Sequence, residues 1–328
     1  MQQRHIARLG RDVSEVGLGC WQLGSDWGDV VDDSAAMGVL HAAVDSGVNF
    51  LDTADVYGDG RSEQFIGRFL RERRGEDVFV ATKMGRRVPQ VADNYTLANF
   101  RDWNDRSRAN LGVDRLDLVQ LHCPPDAVFA SDEVFDALDT MVAEERIAAY
   151  GISIETVGQG MSALQRPGVA ALQVIYNAFR QKPMDELLPQ AHAAGVGVIA
   201  RVPLASGLLT GKYSATTEFP ADDHRNYNRS GESFDVGETF SGVPYEVGLA
   251  AVERLRPLVP GGATMAQWAL RWILAADPVS VIIPGARNAE QARANAAAAD
   301  LPALSEEDLK TVKAVYDADI RPHVQARW

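Results

Sequence analysis

Four residues of types that transfer protons follow short apolar runs in the first 122 positions of the chain. Asp52 lies in VNFLDT, Tyr57 follows in DVYGDG, Lys83 ends VFVATK and His122 ends LDLVQLH. Each residue alone has an ordinary explanation, because such side chains often cap turns, carry solvated charge or pack. Their shared place at the ends of apolar runs predicts that they form one site.

These residue types suit the donation of a proton to a carbonyl oxygen. A free tyrosine has a pKa of about 10, and a cation held against it lowers that pKa by roughly one to three pH units. Lys83 is the cation that we expect beside Tyr57, and Asp52 is the carboxylate that compensates its charge. His122 then polarises or orients the carbonyl from the side. The set contains no reductant, so a cofactor is needed to complete a reduction.

The elements that position these residues alternate along the chain. Most of the apolar runs are continuous, which is typical of parallel strands covered on both faces. The first seven begin roughly 24 to 38 residues apart, the length that one βα unit needs. Amphipathic segments with N-cap residues such as Asp32, Ser131, Thr264 and Asn288 lie between them. The pattern predicts a (β/α)8 barrel. Its strands are expected at 16–20, 48–53, 78–83, 116–122, 147–153, 171–177, 196–202 and 279–284.

Three segments lie outside this repeat. Residues 4–15 predict a β-hairpin that closes the amino-terminal end of the barrel, with its turn at Leu9-Gly10-Arg11. Residues 203–244, after the seventh strand, are polar and much longer than a usual connection, which is typical of a lid or binding loop. A capped helix and a tail follow from Ser305. No linker or low-complexity stretch divides the chain, so we expect a single domain over 1–328.

Composition narrows the class of partner. The chain has 32 basic and 45 acidic residues, a formal net charge of −13 and 46% hydrophobic residues, as in soluble globular proteins. We therefore expect no nucleic-acid or membrane partner, because a basic face is missing. Cys20 and Cys123 form neither a disulfide framework nor a metal-binding pattern, so no metal is expected. With no signal peptide and no run of 18 apolar residues, the predicted location is the cytoplasm.

In combination, these motifs resemble those of the aldo-keto reductases over nearly the whole chain. The stretch GVNFLDTADVYGDGRSEQFIG is similar to the family signature around its Asp and Tyr, VFVATK to its Lys strand, and LDLVQLHCPP to its His strand. The resemblance implies a barrel that binds NAD(P)H at its mouth and transfers hydride from nicotinamide to an aldehyde or ketone. It assigns Tyr57 as general acid, Lys83 and Asp52 as the residues that tune it, and His122 as the residue that orients the substrate.

The cofactor must bind without a GxGxxG motif, because none follows a strand here. Ser153 and Gln173, at the ends of strands five and six, suit the nicotinamide carboxamide, with capping of the strand ends as the alternative. The loop after strand seven is similar to the family's pyrophosphate loop. Its candidate residues are Pro203, Leu204, Ser206, Gly207, Leu208 and Lys212, and Cys20, Trp21 and Gly285 are further expected cofactor contacts.

The segment IPGARNAEQARAN is similar to the family's adenosine-binding region. Arg287 lies at the start of a predicted helix there, where a guanidinium and free backbone N–H groups attract a 2′-phosphate. We therefore predict NADPH rather than NADH. Gln291 and Asn295, one and two turns further on, are candidates for adenine contacts, with a polar surface stripe as the alternative.

The chain departs from the common family pattern at two nicotinamide positions. Ile154-Glu155 follows Ser153 where many members have Asn, and Arg201 stands where many have an aromatic ring. A planar guanidinium can stack on a ring, so Arg201 remains a cofactor candidate.

The substrate pocket is expected near the catalytic residues. Trp27 is a candidate wall, although a tryptophan in a loop is also a normal packing residue. Met84, Arg86, residues 214–240 and residues 323–328 are expected to close the rest. The pocket prediction therefore comprises Trp21, Trp27, Tyr57 and His122.

Three functions fit these residues. The first is an NADPH-dependent carbonyl reductase with a small-molecule substrate. The second is a nucleotide-sensing interaction protein, because the family also contains potassium-channel β subunits; the short segment before the hairpin disfavours it. The third is metal or Schiff-base chemistry at Lys83, disfavoured because no metal-ligand spacing surrounds His122. Neither the particular carbonyl compound nor the oligomeric state follows from the sequence.

Overall fold

Eight parallel strands, joined in sequence order, form the centre of the computed structural model, which describes residues 1–24 and 31–328. An antiparallel hairpin of β1 and β2 precedes them. Parallel bridges join Val16 to Ile282 and Gly19 to Gly285, so the last strand returns to the first and the barrel closes. The strands are β1 (Gln3–Ile6), β2 (Arg11–Ser14), β3 (Leu18–Gly19), β4 (Phe50–Asp52), β5 (Phe79–Met84), β6 (Leu116–His122), β7 (Ile147–Ser153), β8 (Val169–Ile175), β9 (Gly197–Arg201) and β10 (Val281–Ile282).

The predicted (β/α)8 barrel and its hairpin are confirmed, with differences at the strand ends. The last strand, expected over 279–284, covers Val281–Ile282. Pro284 lacks the backbone N–H that would extend the pairing. The sixth strand of the barrel begins at Val169, two residues before its expected start at Ala171.

The helices cover the outside of the barrel. Side chains of Asp32, Ser131, Thr264 and Asn288 accept the backbone N–H bonds expected of N-caps. Within the described ranges, none of the helices combines the length and apolar content needed to cross a bilayer. The helices are α1 (Trp21–Gly24), α2 (Asp33–Asp45), α3 (Arg61–Glu72), α4 (Leu97–Leu111), α5 (Asp126–Phe129), α6 (Asp132–Ala143), α7 (Val157–Leu164), α8 (Leu187–Ala193), α9 (His224–Tyr227), α10 (Tyr245–Leu255), α11 (Met265–Leu274), α12 (Ala289–Ala296), α13 (Glu306–Val315) and α14 (Arg321–Val324).

The hairpin seals the amino-terminal end of the barrel. Ile6 and Val13 are buried, 1% and 0% exposed, in an apolar cluster with side chains from the strands, including Phe50 and Phe79. The Arg8 guanidinium donates to the carbonyl oxygens of Pro167 and Val169, at 3.0 and 2.8 Å. Apolar contact and satisfied hydrogen bonds thus fix the hairpin on the barrel.

The long segment 203–244 reaches the opposite end. It contains α9 and three 3₁₀ turns, Ala205–Thr210, Val236–Glu238 and Phe240–Gly242. Ser206 Oγ donates to the Glu238 carbonyl at 3.0 Å and accepts the Phe240 N–H at 3.1 Å. These bonds fold the loop back on itself near the carboxyl ends of the strands.

Candidate active site

The structure brings the four predicted catalytic residues together at the carboxyl ends of β4, β5 and β6. Lys83 Nζ donates to Asp52 Oδ1 at 2.5 Å and to the Thr53 carbonyl at 2.7 Å, and it lies 3.4 Å from the Tyr57 hydroxyl oxygen. The rings of Tyr57 and His122 meet edge to face, with centroids 5.9 Å apart. Adjacent strand ends therefore place a phenol between an ammonium and an imidazole.

Glutamine side chains complete the hydrogen bonding of Asp52. Its Oδ2 accepts from Gln173 Nε2 at 2.7 Å and from Gln120 Nε2 at 3.3 Å. Lys83 is 1% exposed, so its charge is stable only because this carboxylate pairs with it. Sequence reasoning missed Gln120, although a Gln inside an apolar strand must find a polar partner.

The pKa values of the pair differ from the sequence-based expectation. Burial raises the pKa of Tyr57 by more than the Lys83 ammonium lowers it, so the net shift is upward and the expected lowering is wrong. Burial also lowers the pKa of Lys83, but Asp52 and Tyr57 outweigh that effect and the pKa is raised. Tyr57 is thus a protonated phenol beside a charged ammonium near neutral pH.

His122 is held as a neutral imidazole. Burial, followed by the charges of Arg86, Lys83 and Arg201, lowers its pKa well below its usual value. Its Nδ1 has no hydrogen-bond partner among the described residues. The neighbouring Cys123 is buried, and burial raises the pKa of its thiol to about 12. The thiol is therefore unreactive.

Asp55 is a buried carboxyl group that sequence reasoning did not single out. It is 0% exposed, and neither carboxyl oxygen has a hydrogen-bond partner among the described residues. Burial and the nearby Glu63 raise its pKa to about 7, despite the opposing charges of Arg87 and Lys83. The signal was its place in DVYGDG, two residues before Tyr57.

Four charged side chains form a second group at the mouth, which we call the mouth ion cluster: Arg86, Glu155, Arg201 and Glu238. Arg86 Nη2 lies 3.0 Å from Glu238 Oε1 and 3.5 Å from Glu155 Oε1. Arg201 Nη2 lies 3.3 Å from Glu155 Oε2, and its Nη1 lies 3.5 Å from Glu238 Oε1. Glu238 was not singled out, because nothing in the sequence of a long polar loop distinguishes the residue that joins this cluster.

The two carboxylates of the mouth ion cluster and the neighbouring Cys123 are side chains of types that bind metals. One ligand atom each of Cys123, Glu155 and Glu238 lie within 4.8 Å of one another. Arg201 Nη2 already donates to Cys123 Sγ at 3.6 Å and to Glu155 at 3.3 Å. The two guanidinium groups therefore supply the positive charge that a cation would bring.

The nicotinamide candidates lie at adjacent strand ends. Ser153 Oγ is 3.3 Å from Cys123 Sγ, Gln173 is committed to Asp52, and Arg201 belongs to the mouth ion cluster. Trp21 packs edge to face on His224 of the long loop, with ring centroids 5.3 Å apart. Trp27 lies outside the described residues.

The remaining cofactor candidates lie in the long loop and around β3 and β10. Leu208 is buried in the turn Ala205–Thr210, which also contains Ser206 and Gly207. Pro203 and Leu204 precede this turn, and the exposed Lys212 follows it. Cys20 is buried, and Sγ lies 3.6 Å from the Leu18 carbonyl oxygen.

Amide side chains fix the entry to α12. Gln291 Oε1 accepts the Arg287 N–H at 2.8 Å, and Asn295 Nδ2 donates to the Gly285 carbonyl at 3.0 Å. Both amides thus have local hydrogen bonds. Their contacts with a nucleotide stay a prediction.

A (β/α)8 barrel with polar and ionisable side chains at the carboxyl ends of its strands is an architecture found in many enzymes. Residues 15–317 match the profile of the Aldo/keto reductase family. The chain belongs to this family and is therefore an oxidoreductase.

Individual relatives agree with this assignment. The chain is 30% identical to the uncharacterised oxidoreductase YqkF of Bacillus subtilis over 326 residues, 98% of each protein. It is 31% identical to a probable voltage-gated potassium channel β subunit of Oryza sativa over 337 residues, 97% of each. The solved glycerol dehydrogenase of Gluconobacter oxydans superposes with a TM-score of 0.78 at 29% identity, covering 98% of this chain and 96% of that one.

Proposed function

We propose that the protein is an NADPH-dependent carbonyl reductase that converts an aldehyde or ketone to an alcohol. The observation that carries the proposal is the position of Lys83 Nζ, which is 2.5 Å from Asp52 and 3.4 Å from the Tyr57 hydroxyl. An ammonium at this place stabilises the phenolate that forms when Tyr57 gives up its proton. Tyr57 is therefore the proposed general acid.

The residues at the mouth fit a dinucleotide. Arg201 presents a planar guanidinium that donates to Cys123 Sγ, 3.3 Å from the Ser153 hydroxyl oxygen. Ser206 lies in the turn Ala205–Thr210, Lys212 follows this turn, and Arg287 precedes α12. These groups offer stacking, hydrogen bonds and positive charge, in the order that nicotinamide, pyrophosphate and a 2′-phosphate require. When bound, NADPH supplies the hydride that the carbonyl carbon receives.

The protein's own residues manage the proton. The neutral His122 ring faces Tyr57 and orients the carbonyl oxygen toward the phenol. Tyr57 donates its proton to this oxygen as the carbonyl carbon is reduced. Lys83 and Asp52 remain an ion pair throughout and limit the energetic cost of the transient phenolate. Proton uptake from solvent then restores the phenol.

Loss of absorbance by reduced nicotinamide tests this function directly. The purified protein is mixed with NADPH or NADH and a panel of aldehydes, ketones and sugars. We expect carbonyl-dependent oxidation and a higher kcat/KM for NADPH. Arg287→Met should reduce the NADPH preference, because it removes the charge that pairs with the 2′-phosphate. If no member of the panel supports oxidation of the cofactor, the proposal is contradicted.

A nucleotide-sensing interaction protein is the second candidate. The likeness to a probable potassium-channel β subunit over 97% of each chain favours it. It predicts that the protein purifies with bound nucleotide and a partner protein while turning over none of the carbonyl panel.

We also propose that the enzyme acts as a single domain in a reducing cytoplasm, on a small carbonyl compound. Cys20 and Cys123 are both buried free thiols, which suits that compartment. Equal activity before and after incubation with reduced glutathione is expected.

A further inference from the structure

The mouth ion cluster lies beside the catalytic residues. Arg86 follows Lys83 on the same chain segment, and Arg201 and Glu155 come from the ends of β9 and β7. The charges of Arg86 and Arg201 both act on His122, which places them within electrostatic reach of the reacting carbonyl. The four side chains are 10–20% exposed, so solvent reaches them from the mouth.

The two arginines retain unused hydrogen-bonding capacity. The Nε atoms of Arg86 and Arg201 are buried without a partner among the described residues. A guanidinium presents five N–H donors in a fixed fork that matches a carboxylate. Glu238 meets one nitrogen of each arginine, at 3.0 and 3.5 Å, and so leaves both forks partly unused.

Glu238 differs from the other three residues because it comes from the long loop. It lies in the turn Val236–Glu238. Burial opposes its ionisation, but Arg86 and Arg201 lower its pKa to about 2, so it carries a full negative charge. Burial raises the pKa of Glu155, although Arg201 opposes this effect, so Glu238 is the carboxylate that holds its charge against the two arginines. Removal of Glu238 therefore leaves a net positive site next to the carbonyl position.

We propose that Arg86 binds a carboxylate on the substrate at the place where Glu238 lies, while the charge of Arg201 attracts it without direct contact, so that the enzyme reduces carbonyl compounds that carry a carboxylate. The inference rests on the proposed reductase function and names its substrate class. Glu238 is then an internal carboxylate that a substrate displaces. Arg86 is the main contact, because Arg201 is also held by Cys123 and by the Ile154 carbonyl.

A charge-matched substrate pair tests this inference. 4-Carboxybenzaldehyde and 4-carbamoylbenzaldehyde have nearly the same shape and differ in the charge at the far end of the ring. We expect the native enzyme with NADPH to prefer the carboxylate by about tenfold or more in kcat/KM, the effect of one charge-assisted hydrogen bond. The preference should shrink as salt is added.

Variants separate recognition from structure. Arg86→Gln should raise KM for the carboxylate about tenfold and leave KM for the amide within threefold. Glu238→Gln should lower KM for the carboxylate, because the internal competitor loses its charge, without changing KM for the amide. Arg254→Gln is the matched control, because Arg254 is 50% exposed and pairs with Asp319 instead, and it should change neither value. If Arg86→Gln does not fold, Arg86→Lys should keep part of the preference.

The outcomes are distinguishable. Equal use of both aldehydes, or an equal loss with both in Arg86→Gln, overturns the carboxylate site and leaves the reductase function standing. If none of the carbonyl compounds supports NADPH oxidation, the reductase function is overturned, and this inference with it.

Discussion

The two ends of the barrel differ in how their side chains are satisfied. At the amino-terminal end, Ile6 and Val13 fill the space between the strands, and Arg8 bonds to backbone carbonyls. At the mouth, Asp55 has no hydrogen-bond partner and Arg86 and Arg201 have unpaired N–H groups, all among the described residues. One end is optimised for packing, whereas the other holds polar groups whose benefit is realised only in function.

Backbone conformation follows the same division. Non-glycine residues with positive φ cost of order 1–3 kcal/mol each. Around the mouth they include Cys123, Val202 and Ser206, at 49°, 51° and 53°. Glu145, at 56°, is a counterexample, since it lies in the turn that leads into the start of β7. The strain is thus concentrated in the residues that shape the site.

The largest expected effect is at the mouth. Lys83→Met removes the charge that stabilises the Tyr57 phenolate, so kcat should fall by about 10²- to 10⁴-fold in a steady-state assay. Lys310→Met is the control, because the Lys310 side chain is 79% exposed, and it should leave kcat unchanged. A Lys83→Met enzyme with full activity would remove the reason for calling the mouth functional.

Asp55 is a mouth residue whose ionisation should lower the free energy of unfolding. Its pKa is about 7 in the folded chain, whereas an unfolded Asp ionises near pH 4, so the folded state binds more protons between these pH values. The free energy of unfolding therefore falls as pH rises through this window. Asp55→Asn removes that loss.

Urea unfolding at pH 5 and pH 8 measures the Asp55 effect. The stability advantage of Asp55→Asn over the native chain should grow by roughly 2–3 kcal/mol between the two pH values. The exposed Asp277→Asn is the control, with no such growth expected. An advantage that stays constant with pH contradicts the assignment.

A substitution at the amino-terminal end should change the free energy of unfolding and leave kcat unchanged. Val13→Ala removes buried methyl groups from the hairpin seal and should cost about 2 kcal/mol of unfolding free energy, with kcat unchanged. Val91→Ala is the same chemical change at a residue that is 51% exposed, and it should cost less than about 0.5 kcal/mol. A large drop in kcat for Val13→Ala would mean that the two ends are coupled.

The smallest effect is expected where the tail holds the long loop. Trp328 stacks on the buried Arg180, 3.8 Å from the ring centre, and its Nε1 donates to Asp235 at 3.0 Å. Trp328→Phe replaces the indole by a smaller phenyl ring and loses the hydrogen bond, so thermal unfolding should show a loss of about 1 kcal/mol. No measurable loss would mean that the Trp328 hydrogen bond does not hold the long loop.

The sequence predicted the barrel, the hairpin, the N-caps and the meeting of Asp52, Tyr57, Lys83 and His122. These follow from local patterns, because strand ends of a parallel barrel converge wherever the chain alternates regularly. The site's electrostatics did not follow. The pKa of Tyr57 depends on how deeply it is buried, and the role of Glu238 depends on where a long loop returns to the barrel. Neither can be predicted from the local spacing of residues in the sequence.

The most direct test of the central claim is the Tyr57→Phe variant, which keeps the ring and removes the proton. The account predicts that carbonyl-dependent NADPH oxidation falls by about 10²-fold or more, while the Kd for NADPH, from quenching of protein fluorescence, stays within a few-fold. Turnover at the native rate with the same Kd would contradict Tyr57 as the general acid.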